Sequence, residues 1–326
     1  MTGLRSESGF SLLELLIATG LLLAISSIVT TAVAQMTKSQ KTIWNRTEMH
    51  SGVRGATELL QQEVGQAGRI TLPSTVSIVA PVTGVLPCVT PVTVTVAAVV
   101  GPATAGMFVG EILSVLDGDN QESVPITAIN AGASQITACF TRSHLAGATV
   151  IPLGGFATGI IPNAGIANPS TPSVLKMYGD INGDGTLVYV EYTCDTTAHN
   201  LYRNVVDLKL PAGPDPKPHV SSSQILLSNI LANPGGTACF TYQTSTITIN
   251  STPPATFTFV LDVAVTLTVQ TQDVDPITKA YQTETKALLN VSPRNVFNAW
   301  ALASIGYADH IQPTPAAVTG LLPALP

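Results

Sequence analysis

Residues 10–34 form a run of twenty-five in which Glu14 is the only charged side chain. At about 1.5 Å per residue a helix of that length reaches roughly 37 Å, more than the ~30 Å hydrocarbon core of a bilayer. A run this long and this apolar predicts a membrane-spanning helix rather than the core helix of a water-soluble domain. The rival reading is a cleaved secretory signal, because Ala32-Val33-Ala34 offers a small-x-small cleavage pattern. Against it stand a leader with acid as well as base (Arg5, Glu7), a carboxylate inside the run, and a run longer than a signal core.

Glu14 demands its own explanation. A carboxylate deep in a bilayer costs on the order of 2.5–3.5 kcal/mol on insertion scales, so it requires a partner or a place near the headgroups. The positive N-terminal end of the helix eases the charge there. Cutting the chain after Gly9 would place a new α-amine on Phe10, one helical turn away. Gly9-Phe10-Ser11-Leu12-Leu13-Glu14, with the apolar run behind it, resembles the processing site of type IV prepilins and type II secretion pseudopilins. The resemblance implies cleavage by a prepilin peptidase after Gly9 and N-methylation of Phe10. It also implies that Glu14 engages the N-terminal amine of a neighbouring subunit during assembly.

Orientation is where charge and resemblance part. Lys38, Lys41 and Arg46 after the run outnumber Arg5 before it, and a plain positive-inside count would put the C-terminal side in the cytoplasm. The resemblance implies the opposite, with a periplasmic C-terminal domain on a single-pass inner-membrane anchor. Four cysteines in that domain suit the outside.

Helical spacing continues past the apolar run. Met36 and Ile43 are seven apart, and Ala56, Leu60, Val64 and Ala67 follow at helical intervals. Gly52 and Gly55 weaken the middle, while Gly68 and Pro73 mark the end. One helix over about 10–68 is expected, its second half packing one stripe onto a globular domain. Residues 56–69, ATELLQQEVGQAGR, resemble the end of this helix in PilW-type minor pilins and J-type pseudopilins. The resemblance covers the first seventy residues and returns at Ser292-Pro293-Arg294-Asn295-Val296.

Charged residues make up only 10% of the chain, and Val, Thr, Gly and Pro favour strands and turns after the helix. The clearest strand has Phe257, Phe259, Leu261, Val263, Val265, Leu267 and Val269 on one face. In the pilin architecture that face would lie on the long helix. Residues 273–279, with Pro276, then turn into a strand over about 280–291. Residues 105–152 look like a separate β module, with short strands at 111–116, 124–129 and 136–140. In the latter two, apolar residues fall on even positions (Val124, Ile126, Ala128; Ile136, Ala138, Phe140). Residues 154–171 connect it back, and the last fifteen residues are expected to be poorly ordered.

The resulting organisation is α+β. A leader (1–9) precedes the transmembrane (10–34) and amphipathic (35–72) halves of the helix. Then come a β-rich segment with an inserted module (73–157), a pilin-like antiparallel sheet (158–293) and a proline-rich tail (294–326).

Cys88, Cys139, Cys194 and Cys239 allow three pairings. None is spaced like a zinc site, and sequential pairing, Cys88–Cys139 with Cys194–Cys239, is expected. Asp180, Asn182, Asp184, Thr186 and Glu191 fit the twelve-residue calcium-loop pattern, with Gly185 at its sharp turn. Their flanks are strand-like rather than helical. A plain hairpin whose Asn-Gly and Asp-Gly tip accepts φ > 0 explains the same residues. Both readings, a Ca2+ site and a structural tip, stand on the sequence.

Other chemistry is missing. There is no nucleotide-binding glycine loop, no serine-hydrolase elbow and no His-Glu-x-x-His, and the five histidines are scattered. A net charge of −6 without a Lys/Arg cluster argues against nucleic-acid binding. The expected function is non-enzymatic: a minor pilin or pseudopilin, in a type IV pilus at the tip or initiation complex, or in type II secretion. Its implied partners are other pilins along the N-terminal helix, the prepilin peptidase, the inner-membrane assembly platform and, before assembly, membrane lipid. The filament would lie at the cell surface or in the periplasm. A pilus-tip adhesin with 73–157 as binding module is the alternative. An exposed aromatic cluster there would favour it, and the segment offers Phe108, Phe140 and Phe156.

Overall fold

The computed structural model of the chain describes residues 9–249 and 255–323. Of the leader, only Gly9 falls among them. The chain forms two compact units, Met1–Ser51 with Gln270–Thr283, and Gly52–Val269 with Glu284–Pro326.

The first unit is built on helix α1, which runs from Leu12 to Gln66 and so continues into the second. Its apolar residues over 12–34 are exposed on every side. Met36 and Ile43, expected on a packed stripe, are exposed as well. Asn45 is buried instead, its amide donating to the Asp273 carbonyl. The segment 270–283 therefore grips α1 through polar groups. Thr42 donates to Asp275 at 3.0 Å, Lys41 pairs with Asp273 at 3.3 Å, and Arg46 donates to Gln282.

In the second unit the helix carries the stripe that the spacing implied. Val53, Ala56, Leu60, Val64 and Ala67 are all buried. The helix ends where Gly68 takes a left-handed conformation (φ +78°) that an L side chain resists. A Cβ there would come within 2.7 Å of Val296. The Gly68 N–H donates to the Tyr178 carbonyl and its own carbonyl accepts from Phe156, both at 2.9 Å. The helix terminus is thereby stitched to the β structure.

Six strands follow: β1 (Val76–Ile78), β2 (Val92–Ala98), β3 (Ile112–Leu116), β4 (Glu122–Asn130), β5 (Gln135–Ala138) and β6 (Thr149–Pro152). They close into a barrel in the order β1-β2-β5-β4-β3-β6, antiparallel at every junction. The expected module is thus real but larger, taking in β1 and β2 before residue 105. Alternation fills its core: Val94 and Val96 point inward between exposed Thr93, Thr95 and Ala97. Ala128, expected inside, is exposed, because a register shift between Ile126 and Ala128 turns Ile129 to the core instead. Cys88–Cys139 staples this module.

After the short β7 (Gly155–Phe156) comes a meander of β8 (Val174–Gly179), β9 (Val188–Asp195), β10 (Asn200–Asp207) and β11 (Ile225–Ser228). A second sheet holds β12 (Ile230–Leu231), β13 (Phe240–Ile249), β14 (Ala255–Gln270) and β15 (Thr283–Val291). The strands of 158–293 pair antiparallel as expected but divide between two sheets. The break falls at Asn229, a single left-handed residue (φ +61°) between β11 and β12. Cys194–Cys239 ties β9 to the start of β13.

The first part of the β14 face packs on a helix that was not expected. Phe257, Phe259 and Leu261 pack with helix α2 (Arg294–Ser304) through Val296, Ala299, Ala303 and Trp300. The stripe of α1 meets the meander: Glu63 bonds Arg203 of β10 and Tyr192 of β9, and Gly52 lies against Leu227 of β11.

The expectation of a poorly ordered tail is overturned over its described residues. β16 (Ile311–Gln312) pairs in parallel with β7. Beyond it, helix α3 (Ala316–Thr319) and the turn after it bury Val318, Leu321 and Leu322 against Tyr178, Tyr189 and Leu208. Those few apolar side chains find a prepared hollow, which outweighs the proline content.

Candidate functional site

Gly9 and Phe10 are exposed and precede the first helical residue. Ser11 is the cap: its hydroxyl accepts from the Leu13 N–H at 3.3 Å, and the Glu14 carboxylate accepts from the Ser11 N–H at 3.4 Å. Together they cap the start of the helix, giving two amides a side-chain partner. Glu14 thus has a partner within its own chain, one turn from Phe10. That spacing was visible in the sequence, but the apolar run drew attention to the membrane cost of Glu14 rather than to its capping geometry.

Behind the cap, one surface is continuous. Leu12, Leu13, Leu21 and Leu15 expose 82, 67, 60 and 60% of their surface, at positions spread round the whole circumference. The polar residues among them are neutralised internally. Thr19, Thr30 and Thr31 donate their hydroxyls to the carbonyls of Leu16, Ser26 and Ser27 at 3.0, 2.7 and 2.8 Å. A hydroxyl so bonded imposes little desolvation cost in lipid. Leu12–Gln66 is long and apolar enough to cross a membrane, and its most apolar window buries nothing within the chain. Such a surface can do two things: sit in hydrocarbon, or pack against the same segment of other subunits.

Of the calcium-loop residues, Asp180, Asp184 and Thr186 are linked at the tip while Glu191 is engaged elsewhere. Glu191 lies in β9, buried, where Tyr189 donates to it at 2.6 Å and the Lys217 ammonium at 2.8 Å. Asp180 is fully buried and accepts from the Asp184 N–H at 3.0 Å and from Thr71, with the Arg69 guanidinium 3.6 Å away. Asp184 accepts from the Thr186 N–H at 2.8 Å. Among the described residues no cluster of three or more His, Cys, Asp or Glu has a geometry able to hold a metal. The full twelve-residue set does not fit Ca2+, because Tyr189 and Lys217 engage Glu191 in β9 and Arg69 lies beside Asp180. The tip is the hairpin that the alternative reading described. Gly183 and Gly185 take φ +77° and +81°, and a Cβ on Gly185 would fall 2.4 Å from the Pro73 nitrogen.

Both disulfides join the cysteines in sequential order, with Cα separations of 5.7 and 6.5 Å. The aromatic residues of the 73–157 segment are buried: Phe108, Phe140 and Phe156 expose 5% or less. They build core, not a stacking surface.

Among the buried carboxyls, Glu63 and Glu111 were not foreseen. Glu63 is held by Arg203 and by the Tyr192 hydroxyl. Burial, with Glu63 adding to it, pushes that hydroxyl far above the ordinary tyrosine range. Glu191 forms the pair with Lys217. Glu111, at the mouth of β3, is fully buried and accepts one N–H, from Phe108 at 3.1 Å. Burial pushes its carboxyl up to about 8, so it keeps its proton at neutral pH.

Comparison with protein-family models, with curated proteins and with solved structures returns no match.

Proposed function

We propose that this chain is a minor pilin or pseudopilin, a structural and assembly subunit of a type IV pilus at the tip or initiation complex. It is cut after Gly9 by a prepilin peptidase, methylated on Phe10, and held in the inner membrane until assembly. Residues 10–34 then leave lipid for contact with the same segment of neighbouring subunits. The observation that carries this reading is the pairing of two features. A Gly-Phe-Ser-Leu-Leu-Glu junction stands directly before a helix whose apolar side chains are exposed all round. A filament core and a bilayer are the two environments that satisfy such a surface. Glu14 first caps its own helix and, on assembly, is positioned one turn from the new amine to exchange partners with a neighbouring chain.

Deleting the gene and scoring pilus-dependent motility against protein secretion tests the assignment. Lost pili with intact secretion is expected. Lost secretion with intact pili would move the chain to type II secretion and sink the pilus assignment. An adhesin built on 73–157 finds less support, since the aromatic residues of that segment are interior.

A further inference from the structure

The hairpin between β14 and β15 carries an unexplained set of exposed side chains. Thr271 donates to the Gln282 carbonyl at 2.8 Å and Asp275 to that of Ala280 at 3.0 Å, which places the tip at 276–279. The hairpin's polar contacts with α1 fall between Lys41 and Arg46: Asp273 meets Lys41 and Asn45, Asp275 meets Thr42, and Gln282 meets Arg46. The base of the tip therefore sits about one helical turn past Lys38. Lys38 is four residues past Ala34, and Thr42 eight, or about 6 and 12 Å along the axis. The polar layer flanking each side of a bilayer core is roughly 5–8 Å thick. If residues 10–34 cross the membrane, the contacts at Lys41 and Thr42 hold the base of the tip a few Å above that layer, within reach of a side chain.

Its chemistry suits that level. Ile277 and Tyr281 are 57 and 51% exposed, and Val274 is exposed beside them. The acids are neutralised locally. Asp275 is buried and accepts from the Ile277 and Thr278 amides at 2.7 and 3.2 Å, while Asp273 pairs with Lys41. What the tip presents outward is apolar and cationic, with Lys279 exposed on it and Lys38 exposed on the helix below. Tyrosine and lysine at the edge of a span are the side chains that headgroups accept, the ring at the interface and the ammonium on phosphate.

We propose that the 274–281 tip rests on the bilayer surface from which α1 emerges, with Ile277 in the headgroup layer and Lys38 and Lys279 against lipid phosphates. The proposal rests on the membrane span proposed above. It makes the hairpin a foot that holds the first unit at a fixed height before extraction into a filament.

The test uses the full chain in vesicles of phosphatidylcholine and phosphatidylglycerol, with acyl chains brominated near the headgroup or near the chain end. Trp44→Phe with Trp300→Phe supplies a background without tryptophan. Leu22→Trp then reports the span and Ile277→Trp the tip. Leu22→Trp is expected to be quenched by deep bromine, and Ile277→Trp by shallow bromine. Omitting phosphatidylglycerol is expected to weaken the second signal, since each lysine near an anionic surface is worth about five-fold in occupancy of the bound state. A quenched Leu22→Trp beside an unquenched Ile277→Trp would overturn the proposal and leave the span standing. An unquenched Leu22→Trp would remove the span, and the proposal with it. Tip quenching indifferent to phosphatidylglycerol would overturn the assignment of the two lysines.

Discussion

Between residues 12 and 34, helix α1 exposes leucines and isoleucines on every side; between 53 and 67 it buries one stripe and leaves the rest polar. Backbone and helical spacing are the same in both stretches. What differs is where the apolar surface is satisfied. The second stretch closes its account inside the chain, through Leu60, Val64 and the Glu63–Arg203–Tyr192 cluster. The first cannot, and in the proposed reading its partner is a bilayer or another subunit. Substitutions that cost stability in one stretch are therefore expected to be silent in the other.

The largest effect is expected where charge is buried. Glu63→Ala strips Arg203 and Tyr192 of their partner, and breaking a buried pair costs about 3–5 kcal/mol. Chemical denaturation of the full chain in detergent would register it as a fall in midpoint. An unchanged midpoint would mean that α1 does not dock on β9 and β10 in solution. Next comes a matched pair of truncations. Leu60→Ala, at a fully buried site, is expected to cost about 2–5 kcal/mol. Leu22→Ala, at a site 63% exposed, is expected to leave the same midpoint unmoved. Equal losses would erase the contrast between the stretches.

Glu111 sharpens the comparison, because its partner within the folded unit is a single amide and a proton. Its folded pKa, about 8, lies above the ordinary value of 4.5. The unfolded chain therefore holds fewer protons between those values, and stability falls as pH rises through that window. From pH 5 to pH 8 the loss is on the order of 3 kcal/mol. Glu111→Gln is expected to flatten that slope in denaturation curves taken across pH. A slope that survives the substitution would assign it to other groups. The smallest effect belongs to the cap: Ser11→Ala should cost about 0.5–2 kcal/mol of local helix stability. Amide exchange over residues 12–15 would show faster exchange, with residues 53–67 unaffected. Calcium at millimolar concentration is expected to give no binding heat with the full chain. A stoichiometric heat abolished by Asp180→Asn would restore the calcium reading.

How much could be read in advance follows the range of the interactions. The apolar run, the stripe through Ala56, Leu60, Val64 and Ala67, and the alternation in β14 are local periodicities, and they were legible. Barrel closure was not, because β1 is three residues long and its pairing with β6 joins Val76 to Val150 across the module. Helix α2 was missed because its buried stripe, Val296, Ala299 and Ala303, is mostly alanine and gives little hydrophobic signal. The calcium pattern misled for a related reason. Five oxygen-bearing residues at the right spacing say nothing of Arg69 and Lys217, which arrive from elsewhere in the chain to occupy Asp180 and Glu191. At the candidate site the residue types and spacing were legible, and the Ser11–Glu14 cap was equally available in the Ser-x-x-Glu pattern.

Mass spectrometry of the mature N-terminus, on wild type beside Gly9→Ala and Glu14→Ala, tests the central assignment most directly. Processing as a prepilin requires a chain that begins at N-methylated Phe10 in the wild type and stays uncut when Gly9 is replaced. Glu14→Ala should be cut normally and be missing from sheared filaments. A retained Met1, or a cut after Ala34, would instead make residues 10–34 an ordinary anchor or signal peptide, and the filament assignment would fall.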